Sequence, residues 1–256
     1  MKIIIDEGAD VHVIDKNTVE IVSPKRQDIA VINESTVLTD SDIKMAMPAF
    51  QKAVNEDFEP LWNIGCNLNF VGRDNPLPGQ WWIAILDNTD QADALAYHDL
   101  TPEGLPISKV FAKTELDAGT SWTVALSHEL WEMLADPEIV RAGQDSFTGI
   151  FYAFENADAV EADNIGYLKN ATLISDFVLP AWFEHANNTR WDFQKKLSGP
   201  FELAPGGYIG KWDTSTNSWG IITEPWVAPI TPPKGSRRER RTRSKNMWKL
   251  SNPAKV

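Results

Sequence analysis

Residues 127–137 read SHELWEMLADP and place an imidazole and two carboxylates, His128, Glu129 and Glu132, within five consecutive positions. On an α-helix, positions i and i+4 project from one face about one turn apart, so His128 and Glu132 can grip a single ion between them. Glu129 lies beside that pair, displaced around the helix, where a carboxylate can serve as general base to a water. A divalent ion held there lowers the water's pKa towards neutrality, so the segment has the parts for metal-assisted hydrolysis. The rest of the helix is apolar, since Val124, Ala125, Leu126, Leu130, Trp131, Met133, Leu134 and Ala135 leave no ordinary solvated face. Ionisable groups on such a helix need partners. A metal or catalytic site supplies them, and so does a buried network of structural salt bridges. Short motifs of this kind also arise by chance.

Several elements must position these residues. Thr39, Asp40, Ser41 and Asp42 offer N-caps to a run in which Ile43, Met47, Phe50, Val54 and Phe58 recur at helical spacing, which predicts a long helix over 41–62. Strands are expected at 67–71, 81–86 and about 107–111, divided by turns at 73–76 and 101–104. The motif helix should begin near Gly119 and stop at Asp136, because Pro137 disfavours helix at the residue before it. Strand-like runs at 2–5, 11–14, 19–22 and 29–32 predict a small antiparallel β-element over 1–37, packed on a main domain over 38–224. Beyond Pro137 an extended stretch at 149–155 leads into the acidic cluster Glu155, Asp158, Glu161 and Asp163. From Pro225 four prolines precede the basic run KGSRRERRTRSK, which has no apolar periodicity and predicts a flexible tail over 225–256.

The HELWE helix resembles the active-site helix of the zincin metallopeptidases, with Glu132 where their second helical histidine stands. More narrowly, AYHDLTPEGLPISKVFA, SHELWEMLADP, ENADAVE and SDFVLPAWF follow one another over about residues 95–183. That succession is similar to a group of zincin-like proteins of tailed bacteriophages and bacteria. The resemblance implies an α+β, zincin-like fold: a mixed β-sheet with a long backing helix and an active-site helix. It implies a peptide or protein substrate, an edge strand near 107–111 to pair with it, and one divalent metal ion, zinc first. His128 and Glu132 would hold the ion, with Glu129 as the catalytic base. Glu155 would be the third ligand and Asp158 would orient His128, roles that the two acids could exchange. One imidazole with two carboxylates makes a harder, more anionic site than the family pattern, so manganese, magnesium and calcium become more competitive. The alternative function is a virion structural or assembly protein that keeps a degenerate, inactive zincin scaffold and binds other virion proteins.

Composition sets outer bounds. A single cysteine, Cys66, excludes an intramolecular disulfide and a cysteine zinc site. Eleven tryptophans and eleven phenylalanines among 256 residues supply a large apolar core without such staples. The net charge of −12 divides unevenly, with 15 basic and 35 acidic residues over 1–233 but nine basic and one acidic over 234–256. An acidic body is a poor nucleic-acid surface, whereas the tail can contact nucleic acid or an acidic protein surface. No apolar run approaches the roughly 18 residues of a membrane span, and MKIIIDEGAD is too short for a signal-peptide core. The expected location is the cytoplasm of the producing cell or a virion. His98 and His185 are candidates for oxyanion stabilisation or for a replacement ligand, with a hydrogen-bonded structural role as the plainer reading. Tyr152 and Tyr167 flank the acidic segment, as core residues first and as oxyanion donors second.

Overall fold

The computed structural model describes residues 10–13, 19–22, 26–72, 76–90, 95–185, 188–213 and 217–224. The expected strand at 2–5, residues 73–75 of the first predicted turn and the tail from 225 lie outside the described residues. At the N-terminal side β1 (Asp10–Val13) and β2 (Val19–Val22) pair as the antiparallel element the alternation predicts. Next comes β3 (Gln27–Asn33), in which Ile29, Ala30, Val31 and Ile32 are all buried. A continuous apolar run is what a strand covered on both faces requires.

The long helix begins at Thr39, whose hydroxyl accepts from the Asp42 N–H while the Asp42 carboxylate accepts from the Thr39 N–H, a reciprocal capping box. It runs as α1 (Asp40–Ala53), widens into a π turn over Val54–Phe58 and ends as α2 (Glu59–Trp62). Pro60, which has no N–H to donate, stands one residue beyond the π turn, after Glu59. Asn63, in the left-handed conformation at φ 53°, stops the helix.

The main sheet adds β4 (Cys66–Val71), β5 (Trp81–Leu86), β6 (Ala96–Leu100) and β7 (Pro106–Phe111), in the order β4-β3-β5-β7-β6. All neighbours are parallel except β6, which pairs antiparallel with β7 at one edge. Two sequence expectations change here. Residues 29–32 belong inside this sheet, between β4 and β5, and not to a separate element ending at 37. The strand at 107–111 is interior, and the edges of the sheet are β4 and β6, the second of which the sequence reading passed over.

After β7, α3 (Ala112–Ala118) ends at Gly119, whose φ of 75° favours glycine, and α4 (Trp122–Ala135) carries the motif. Every residue of α4 after Trp122 is buried. The helix packs against β6 and β7 and against β11 (Thr172–Ile174), which forms a hairpin with β10 (Tyr167–Lys169). Between α4 and that hairpin lie β8 (Ala142–Gln144) and β9 (Phe151–Ala153), and later in the chain come β12 (Tyr208–Asp213) and β13 (Ser218–Thr223). These four make an antiparallel sheet in the order β13-β12-β9-β8. The architecture is mixed α+β.

One aromatic stack ties the backing helix to the motif helix. Phe58 lies flat on Trp131 with ring centroids 4.7 Å apart, stacks on Trp62 at 5.7 Å and meets Phe177 edge-on. Burying one such ring contributes about 1.5–3 kcal/mol. The Trp131 indole N–H donates to the Ser175 carbonyl, so the tryptophan is satisfied at its polar end as well. Cys66 is buried in this core, and burial pushes its thiol up to about 12, which suits a packing residue.

Candidate metal centre

Three segments hold α4 in place and thereby aim its ionisable face. At its start the Asp163 carboxylate accepts from the Ser121 N–H at 2.8 Å, a cap supplied from the acidic loop. Along its length Thr123 donates to the Leu173 carbonyl and the Ser127 hydroxyl accepts from the Ser175 N–H. At its end Arg141 donates to the Ala135 carbonyl, while the Asp136 carboxylate accepts from the N–H groups of Val140 and Arg141. The helix termini are therefore satisfied by residues far along the chain as well as near.

On the fixed helix, His128 Nε2 lies 3.2 Å from Glu132 Oε1 and 3.2 Å from Asp158 Oδ1. Asp158 arrives on a single 3-10 turn, Asp158–Val160, after β9. His128 is 8 % exposed and Glu129 2 %, while Glu132 and Asp158 are fully buried. Burial opposes a charged imidazole, but the carboxylates of Glu132, Asp158 and Glu129 outweigh it and hold the His128 pKa well above its ordinary value. The same carboxylates that favour a proton on His128 would favour a divalent ion in its place.

A second group meets the first at Glu132. His98, on the edge strand β6, has Nδ1 3.5 Å from Glu129 Oε2 and 3.7 Å from Glu132 Oε2. Its Nε2 lies 3.2 Å from the Asp136 carbonyl. Among the described residues, two groups have ligand atoms close enough to share an ion: His128, Glu132 and Asp158, and His98, Glu129 and Glu132.

The structure brings together His128, Glu129, Glu132 and Asp158 as the sequence reading expects, with one change of role. Asp158 faces the same ring nitrogen as Glu132, the placement of a third ligand in the exchanged roles that the sequence leaves open, and not the other nitrogen. Glu155 is buried but belongs to neither group. His98 is the residue that sequence reasoning underrated, because a strand and a helix separate it from the motif helix in the chain. His185 pairs instead with Asp145 at 2.6 Å and packs on Phe147 and Phe201. Tyr167 donates to Asp57 and Tyr152 packs on Phe201, so both serve the framework.

Compared with protein-family profiles, with curated proteins and with solved structures, the chain matches none.

Proposed function

We propose that the chain is a metal-dependent hydrolase of zincin type acting on peptide bonds, with a divalent ion held by His128, Glu132 and Asp158. The observation that carries this reading is the convergence of one imidazole nitrogen and two carboxylate oxygens from α4 and the Asp158 turn, with Glu129 next to them on the same helix. The donor set fits the group: a nitrogen and two oxygens suit zinc or manganese, with room in the coordination shell for water. A bound ion supplies Lewis acidity to a carbonyl and acidity to water. Glu129 takes the proton from the attacking water and delivers it to the leaving amine. The order of a long helix, a mixed sheet with an antiparallel edge strand and then the motif helix is the order that the zincin resemblance implies. That order supports the reading and makes β6 the strand against which an extended substrate would lie.

A second reading draws support from burial. With Glu129 and Glu132 almost closed off, the same ligands would also serve a metal that only stabilises a scaffold, as in a virion structural or assembly protein. Metal analysis of the purified chain, combined with cleavage assays on an unfolded protein substrate, separates the two. The hydrolase reading expects a tightly held divalent ion and cleavage that Glu129→Gln abolishes while the ion at His128 stays. Bound metal without cleavage favours a metal-stabilised scaffold, and a wild-type chain that binds no divalent ion overturns the hydrolase in favour of a degenerate, metal-free one.

A further inference from the structure

The group on the far side of Glu132 is built as a ligand set in its own right. The Asp136 carbonyl can only accept, so His98 donates to it through Nε2 and turns Nδ1, its other ligand atom, towards Glu129 and Glu132. A histidine whose second nitrogen donates to a backbone carbonyl is the arrangement that metal-ligating imidazoles adopt. The separations point the same way. Charge-assisted N–H···O bonds run at about 2.7–2.9 Å, shorter than the 3.5 and 3.7 Å found here. Two ligand atoms that each lie about 2.1 Å from a tetrahedral ion are roughly 3.4 Å apart. The spacing suits an ion better than a shared proton.

We infer that His98, Glu129 and Glu132 bind a second divalent transition-metal ion, with Glu132 bridging it to the ion at His128. This rests on the proposed metal site at His128, Glu132 and Asp158 and extends it. Glu132 has the geometry for a bridge, since Oε1 faces His128 and Oε2 faces His98. Charge permits it. Glu129, Glu132 and Asp158 place three carboxylates in a buried space, and the single positive charge that two divalent ions would leave there is one that a bound hydroxide cancels. The two positions differ in access. The His128 side chain is 10 % exposed and that of His98 is fully buried, which makes the His98 ion the inner one, slow to exchange, and the His128 ion the outer one, open to water. Glu129 meets the inner ion through one oxygen and keeps the other for proton transfer.

Manganese titration of the metal-free full-length chain, followed by paramagnetic resonance, tests the inference. Wild type should take up two equivalents and give the spectrum of an exchange-coupled pair. His98→Ala and Asp158→Ala should each take up one, without the coupled signal. Chelator should strip the wild type in a fast and a slow phase, and His98→Ala in the fast phase alone. Saturation of the wild type at one equivalent overturns the second site while leaving the first intact. Two equivalents in a folded His98→Ala overturn it as well, and no uptake at all overturns both sites. The wild-type stoichiometry decides the matter even if a variant fails to fold.

Discussion

The two oxygens of Glu132 face two different imidazoles, Oε1 towards His128 and Oε2 towards His98. A neutral histidine at that position would offer a single lone pair, so it could serve one side only. Relative to a second helical histidine, glutamate gives up nitrogen affinity and offers a group able to act in both directions. Glu115, on α3, belongs to the same electrostatic neighbourhood. Burial pushes its carboxyl up to about 7, with Asp163 and Glu129 adding to the rise and Thr120 and His128 opposing it. An acid raised in this way keeps a proton in the folded protein that the unfolded chain has released above about 4.5. The fold therefore loses stability as pH climbs from about 4.5 through 7. In the metal-free protein Glu115→Gln should raise stability by about 1–3 kcal/mol at pH 8 and by well under that at pH 5. Urea denaturation at both values checks the sign; an equal effect at the two pH values would remove the ionisation of Glu115 as its cause.

Asp158 depends on a short turn that is held from outside. The Ala204 N–H donates to the Ala159 carbonyl at 2.9 Å, and a Cβ on Gly207 would fall 2.3 Å from that same oxygen and 2.8 Å from its carbon. Both are backbone atoms, so Gly207→Ala must displace the turn that carries Asp158. The variant should lose about 1–3 kcal/mol of stability and bind metal roughly tenfold more weakly, a loss of about 1.4 kcal/mol. Gly220→Ala is the control, since a Cβ there meets nothing within 4 Å. Metal titration and thermal denaturation of the two variants should differ, and matching behaviour would count against the turn as the positioning device. This dependence also explains what the sequence made legible. The long helix and α4 announce themselves through caps, helical periodicity and Pro137, all local signals, and the motif residues come with α4. The strand β6 does not, because Tyr97 and His98 are both buried in succession and blur the alternation expected of a strand. The choice of Asp158 over Glu155 rests on contacts from Ala204 and Gly207, distant in sequence, which no local pattern records.

At the scale of the whole molecule, the acidic charge makes the metal question a question of stability. The chain over residues 1–233 carries 35 acidic against 15 basic residues, and three of those acids, Glu129 and Glu132 on α4 and Asp158 from the turn facing it, lie buried together. Like charges in a buried site raise the free energy of the folded protein and leave the unfolded chain almost unaffected. An ion that binds only the folded protein reverses this, by about 4 kcal/mol when it is present at roughly a thousand times its Kd. For a chain of this length that corresponds to a rise in Tm of about 8–16 °C. Chelator-treated protein should therefore melt well below protein supplied with stoichiometric manganese or zinc. An acidic surface also attracts divalent ions without any site, but such screening needs millimolar concentrations and does not tell magnesium from manganese. A rise in Tm at stoichiometric manganese, smaller with equal magnesium and lost in His128→Ala, separates site binding from screening. If the melting temperature is the same with chelator and with metal, the buried carboxylates are compensated within the protein itself and the metal centre is wrong.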